Sequence, residues 1–334
     1  MIALVYFFVA ATVTLAALLP LRRIAVRFGI VDSPGPRKVH SLPVPYLGGV
    51  AMLVGMSVAL LVFHSKPWGV VVLIAFVAAL GLADDIRYLP VGVKIVGEIG
   101  MASAAVALGF SWGVSDSAGL NAAFSVVWMV GLTNSFNLLD NMDGLASTVA
   151  ALSVITIGLL VPNSTMLVAP IAGAAAGFLI VNKPPARMFM GDAGSLALGF
   201  GVALCSISAA NSTRGLHSAV ILVAPVAVGL FDTSLVIVSR LVTSRPIQLG
   251  GKDHFSHRLT QLGWSPYQIL IAVALGCAAA WAGATLALRY PLPESWLAIP
   301  IVLAYVFAWA GLLRVDPYTS AVHHGLEVHG AKGS

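Results

Sequence analysis

Residues 68–90 read WGVVVLIAFVAALGLADDIRYLP, an uncharged apolar run through Ala83 that ends in two adjacent carboxylates. A run of that kind suits a helix in the hydrocarbon core of a bilayer, which takes roughly 20 residues per crossing. Asp84 and Asp85 mark where the chain leaves the hydrocarbon, because ionised side chains are costly at membrane depth. Similar apolar segments recur near 2–20, 47–63, 94–110, 121–136, 145–161, 166–181, 195–211, 218–239, 267–288 and 297–313, which makes eleven with 68–83. Turns rich in Pro, Gly or Asn separate most of them, as at 64–67, 162–165, 211–217 and 290–296. The expected fold is an all-α integral membrane protein, a polytopic bundle of about 11 transmembrane helices.

Composition points the same way. Of 334 residues, 59% are hydrophobic and 9% charged, and the mean hydropathy is +0.95, far from the soluble globular range. The first twenty residues lack a basic stretch ahead of the apolar run, and Arg22, Arg23 and Arg27 follow it. That order predicts a first spanning helix rather than a cleaved signal peptide. Cys205 and Cys277 lie within apolar segments, so neither a disulfide framework nor a thiolate zinc site is indicated.

Charge bias orients the bundle. With the N-terminus outside, 15 of the 18 basic residues fall on the inner side, and only Lys66, Arg214 and Arg289 stay outside. An odd number of crossings then puts the C-terminus in the cytoplasm. The expected organisation is one transmembrane catalytic domain over 1–314 with cytoplasmic loops 21–46, 84–93, 137–144, 182–194 and 240–266. Residues 315–334, with His323, His324 and His329, read as a polar, disordered tail. The net charge of +5 describes an inner rim facing anionic lipid headgroups or an anionic substrate, and no nucleic acid partner is indicated.

Nearly all the chemistry-bearing side chains sit in four inner segments: LADDIRYLP (82–90), NSFNLLDNMDGLA (134–146), FMGDAGS (189–195) and KDHFSHRL (252–259). The pair Asp84 and Asp85 needs a compensating cation or a shared proton. Magnesium binds one or two protein carboxylates and completes its shell with water and phosphate. Asp192, between Gly191 and Gly194, can add a ligand from a second loop, although paired aspartates at a helix end also serve simply as caps. Asn134, Asn137 and Asn141 recur at i, i+3 and i+7, and Asp140 and Asp143 form a second i, i+3 pair. Such a polar stripe can read a nucleotide, where ordinary turn residues are the plainer alternative.

His254 and His257, also at i, i+3, share a helical face, with Arg258 beside them to hold a phosphate in a fork. The two imidazoles equally make half of a zinc site, but no thiolate or HExxH pattern supports zinc. Asp232 stands alone inside the apolar run AVGLFDTSLVIVSR, either as a functional group or as a hydrogen-bonded contact between helices.

In this order the segments resemble the polyprenyl-phosphate N-acetylhexosamine-1-phosphate transferase family, within glycosyltransferase family 4. The resemblance starts at Asp32-Ser-Pro34, Arg37-Lys38-x-His40 and Pro45-Tyr-Leu-Gly-Gly49 and runs through Asp84-Asp85, Leu89-Pro90 and Lys94. It continues through Asn137 to Ala146 and Phe189-Met-Gly-Asp-x-Gly-Ser195 to Asp232-Thr233 and His254-x-x-His257-Arg258-Leu259. It implies transfer of a sugar 1-phosphate from a UDP-N-acetylhexosamine to undecaprenyl phosphate, with release of UMP, at the cytoplasmic face of the bacterial inner membrane. It also implies magnesium, with manganese as the alternative ion, held by Asp84, Asp85 and Asp192, the three residues expected to be catalytic. By the same resemblance Lys94, His254, His257 and Arg258 face phosphates, Asn134, Asn137, Asp140 and Asp143 face the nucleotide, and Arg37, Lys38 and His40 join the substrate site.

Ser256 departs from members that carry a third histidine there. The last loop resembles the branch that starts O-antigen, teichoic-acid-like or exopolysaccharide chains more than the branch using the muramoyl-pentapeptide. N-acetylglucosamine is the first-choice sugar, ahead of N-acetylgalactosamine or a deoxy-amino sugar. An ion-coupled transporter is the reading from another class, but its carboxylates belong near the bilayer midplane. A homodimer remains open.

Overall fold

A computed structural model describes residues 2–32, 43–63, 68–246, 251–290 and 305–318. Among them the chain forms α1 (Ile2–Arg27), α2 (Gly48–Phe63), α3 (Trp68–Ile86), α4 (Val91–Ala107), α5 (Ala118–Leu139), α6 (Leu145–Leu160) and α7 (Thr165–Asn182). Beyond these come α8 (Gly191–Ala210), α9 (Gly215–Val223), α10 (Ala227–Val242), α11 (Phe255–Gln261), α12 (Pro266–Arg289) and α13 (305–313). The β-structure among the described residues is one short antiparallel ladder, β1 (Val31–Asp32) on β2 (Val44–Pro45), with Val31 opposite Pro45.

Among the described residues six helical spans are long and apolar enough to cross a membrane: Ile2–Arg27, Trp68–Ile86, Ala118–Leu139, Gly191–Ala210, Gly215–Val242 and Pro266–Arg289. Gly48–Leu61, Leu145–Leu160 and Met166–Asn182 are shorter apolar helices. The protein is therefore an all-α membrane protein, as its periodicity and composition predict.

The details depart from expectation in three places. The span expected at 218–239 lies within Gly215–Val242 but carries a 3₁₀ turn, Ala224–Val226, between α9 and α10. Pro225 is the cause, because its ring removes a backbone donor and crowds the preceding turn. Asn137 belongs to α5 rather than to a loop, and the loop expected at 182–194 contracts to 183–190 because α8 starts at Gly191. Finally, the chain past 314 is not all tail. Val315 and Tyr318 contact the 251–258 segment, while 319–334 lie outside the described residues.

α8 occupies the centre, packed on α3 and α5. Its most apolar stretch is 94% buried, whereas those of α1 and α12 are 22% buried. Its sequence, GDAGSLALGFGVALCSISAA, explains this. Small residues on every face let neighbouring backbones approach closely, which is how helices gain packing energy in lipid. The tightest approach positions the site. A Cβ on Gly81 of α3 would lie 2.3 Å from the Asp192 carbonyl oxygen, so only glycine lets α3 lie against the start of α8.

Candidate active site

Four helices deliver polar side chains to one place at the end of the bundle where α3 stops and α8 starts. Asp84 accepts 2.6 Å from the Leu89 N–H and 2.7 Å from the Lys94 ammonium of α4. The same ammonium donates 3.2 Å to Asp192 of α8. Asn137 of α5 donates its amide to the other Asp192 oxygen at 2.9 Å and to Ser195 Oγ at 3.0 Å. The carboxyls of Asp84 and Asp192 thus face each other across one cation. Their side chains keep 9% and 28% of their surface exposed, and that of Lys94 keeps 20%.

Asp85 does something else. Its two oxygens accept the backbone N–H groups of Asp192 at 2.8 Å and Ala193 at 3.1 Å. The first N–H groups of a helix have no partner within it, and Met190, the residue before α8, supplies no side-chain cap. A carboxylate from α3 therefore caps α8, where the helix dipole favours it. Gly191 makes this possible, with φ +66° and no Cβ, since one there would come within 2.4 Å of Asp85 Oδ2.

The geometry separates the three expected metal ligands. Asp84 and Asp192 present hard oxygens to a common cation position, matching the one or two carboxylates magnesium takes. Asp85, expected to join them, turns both oxygens to backbone amides and anchors the start of α8. Among the described residues no group of three His, Cys, Asp or Glu side chains is gathered as a metal set.

The expected asparagine stripe divides. Asn134 donates to Glu98 of α4 and 2.9 Å to the Val130 carbonyl, so it serves the α4–α5 contact one turn deeper than Asn137. Glu98 is 2% exposed and had no expected role. Its position four residues after Lys94, on the same face of α4, was the available signal. Asn141 leaves the helix, donating to the Leu138 carbonyl at 2.8 Å and accepting 2.5 Å from Ser256 Oγ.

Asp143 accepts the Ala186 N–H at 2.8 Å and fastens the loop ahead of α8. Burial, then the charges of Asp192, Asp85 and Asp143, raise the Asp140 carboxyl to about 7. Tyr46 is a further neighbour. Burial, its hydrogen bond with Asp32 and the nearby charges of Asp85 and Asp192 push its phenol up.

The histidine segment forms a second half of the site, joined to the first through Asn141. His254 precedes α11 and His257 lies within it, their rings 5.9 Å apart. Asp232 is fully buried and accepts from His254 Nδ1 at 2.8 Å and from the Phe255 N–H at 2.9 Å. This hydrogen bond fixes the ring through Nδ1 and leaves Nε2 for a ligand. Burial, then the neighbouring His254 charge, lowers His257 to about 4.

Arg258 differs from expectation. Its guanidinium donates to the Asp253 carbonyl at 3.0 Å, Ser239 Oγ at 2.6 Å, Leu312 O at 2.9 Å and Val315 O at 2.5 Å. It is 2% exposed, so this fork is a fastening between α10, α11 and α13 and not a phosphate ligand. Asp253, which the sequence did not single out, accepts from Ser239 at 2.9 Å, Arg240 at 3.1 Å and Tyr318 at 2.8 Å. Burial acts to raise its carboxyl, but these bonds hold it below the usual carboxylate range. Arg37, Lys38 and His40 lie outside the described residues.

Comparison with known proteins shows the family. Residues 67–210, from α3 through α8, match the family described as Glycosyl transferase family 4. The chain is similar to a probable undecaprenyl-phosphate N-acetylglucosaminyl 1-phosphate transferase of Bacillus subtilis, 31% identical over 82% of each chain. It is also similar to the decaprenyl-phosphate N-acetylglucosaminephosphotransferase of Mycolicibacterium smegmatis, 32% identical over 92% of this chain and 88% of that one. A phospho-N-acetylmuramoyl-pentapeptide-transferase of Levilactobacillus brevis is 29% identical over 67% of this chain and 78% of its own length. On this similarity the chain belongs to glycosyl transferase family 4, among the polyprenyl-phosphate N-acetylhexosamine-1-phosphate transferases.

Proposed function

We propose that the protein transfers an N-acetylhexosamine 1-phosphate, N-acetylglucosamine 1-phosphate first among them, from a UDP-sugar to undecaprenyl phosphate. UMP is released, as the opening membrane step of an O-antigen, teichoic-acid-like or exopolysaccharide chain. The observation that carries the reading is the convergence of Asp84, Lys94, Asn137 and Asp192 from four helices at one end of the bundle. Relatives named for polyprenyl-phosphate N-acetylglucosamine phosphotransfer support the substrate class.

An oxygen of the lipid phosphate attacks the β-phosphorus of the UDP-sugar, and the bond from that phosphorus to the oxygen bridging to the α-phosphate breaks. UMP departs with the bonding electrons. Two anions must be brought together, so the task is electrostatic positioning more than proton transfer. The lipid phosphate is already ionised at neutral pH, and no strong base is required.

Asp84 and Asp192 are the residues to hold magnesium, with manganese as a substitute. When bound, such a metal supplies positive charge against the phosphate oxygens. Lys94, tethered between both carboxylates, adds a movable ammonium that can turn from them toward a phosphate. Asn137 fixes the rotamer of Asp192, and Asp85 fixes the helix end that carries it. His254, oriented by Asp232, faces the donor diphosphate through Nε2.

The basic residues assigned inside by charge bias support a cytoplasmic active site, an external N-terminus and about eleven crossings. The experiment is release of UMP by purified protein given undecaprenyl phosphate, magnesium and a panel of UDP-N-acetylhexosamines. The expected result is lipid-dependent UMP with UDP-N-acetylglucosamine, lost in Asp84→Asn and Asp192→Asn. No release with any donor from folded protein would overturn the reading.

A further inference from the structure

Both neighbours of His254 are pinned, and from opposite directions. On its C-terminal side the Phe255 N–H is held by Asp232 at 2.9 Å. On its N-terminal side Asp253 is held by a clasp whose outer arm is the chain beyond α13. Tyr318 Oη donates 2.8 Å to Asp253 and accepts 3.0 Å from the Lys252 N–H, so one hydroxyl bridges backbone and side chain of consecutive residues. Arg245 lies 3.7 Å over the Tyr318 ring, and its guanidinium stands 3.8 Å from Asp253.

The arm has its own anchorage. Arg258 binds the Leu312 and Val315 carbonyls. Tyr305 at the start of α13 is hydrogen-bonded to Ser234 at 2.5 Å and meets Phe231 edge-on at 5.0 Å. Phe231 in turn lies 6.4 Å from Phe255, the residue after His254. The segment 305–318 is therefore built against α10 and the histidine segment at both of its ends.

We infer that Tyr318 is a positioning residue for His254: through Asp253 and the Lys252 amide it fixes the backbone from which the imidazole reaches the donor diphosphate. This rests on the proposed function for the identity of the ligand. The distinction from simple stabilisation is that Tyr318 touches the histidine segment and none of Asp84, Lys94 or Asp192. Its effect falls on the donor and not on the lipid phosphate.

The test is Tyr318→Phe in the full chain, which keeps the ring under Arg245 and removes only the bridging hydroxyl. The expected result is a donor KM raised about tenfold, the size of effect for one lost positioning hydrogen bond. The lipid-phosphate KM should stay unchanged and kcat within about twofold. Carbethoxylation of His254, followed by peptide mass spectrometry without substrate, should be faster in Tyr318→Phe, and reversing the arm's other contact with Arg245→Gln should act in the same direction. Unchanged donor KM together with unchanged His254 modification would overturn the inference. Equal rises in both KM values would overturn it too, reducing Tyr318 to a general stabiliser. A wild-type protein inactive with every donor would instead sink the proposed function, and the modification rates would still decide whether Tyr318 holds His254.

Discussion

The carboxylate cluster and the histidine segment draw on the same polar residue types and use them in opposite ways. In the first, Asp84, Lys94 and Asp192 meet with 9%, 20% and 28% of their side-chain surface exposed, and a single ammonium serves two carboxylates. In the second, Arg240 and Asp253 pair at 2% and 1% exposure, and Arg258 is saturated by carbonyls and a hydroxyl. An under-compensated, partly open group is available to a ligand; a sealed, fully bonded one holds the fold. A charge at a membrane face is therefore read by what its partners leave over, and not by its type.

The most damaging change to the first region is Asp192→Asn. It keeps the shape, removes one of two charges facing Lys94, and should cut UMP release by about 10³-fold or more while gel filtration shows an intact protein. In the second region Arg258→Ala should cost about 3 kcal/mol of stability, because it strands buried carbonyls. Arg258→Lys should not restore it, since an ammonium lacks the planar fork. Thermal unfolding in detergent measures both. Unchanged melting with a raised donor KM would make Arg258 a ligand and dissolve the contrast.

Acid response should differ in sign between the regions. His257, held near 4, binds its proton more weakly than an unfolded histidine at about 6.5. Its contribution to stability is whole above about 6.5 and lost as pH falls toward 4. Asp140, raised to about 7, keeps a proton that the unfolded chain releases near 3.9. Its contribution is present below that value and lost as pH rises through about 7. Denaturant unfolding between pH 4 and 8 should show a flatter acid slope in His257→Gln and less loss toward neutral pH in Asp140→Asn. The smallest effect belongs to the bridge between the regions. Ser256→Ala removes the bond to Asn141 and should raise the donor KM about threefold in steady-state kinetics.

The carboxylate half was legible in the sequence because charges are scarce there and end apolar runs. What spacing cannot distinguish is Asp84 from Asp85. Which of the two meets the α8 amides depends on how α3 is rotated and on the positive φ of Gly191. Glu98 escaped because its partner, Asn134, lies on another helix. The histidine segment was legible as a cluster but not in its roles. Among the partners of Arg258 and Asp253 are the carbonyls of Leu312 and Val315 and the Tyr318 hydroxyl, more than fifty residues away. Backbone carbonyls leave no mark in a sequence pattern.

The most direct measurement is an electron paramagnetic resonance titration of Mn²⁺ into the purified protein and its Asp84→Asn, Asp85→Asn and Asp192→Asn variants. The expected result is a bound ion in the wild type, lost in Asp84→Asn and Asp192→Asn and kept in Asp85→Asn, whose carboxylate holds the α8 backbone. Undiminished binding in Asp84→Asn and Asp192→Asn, or loss confined to Asp85→Asn with the fold intact, would contradict it.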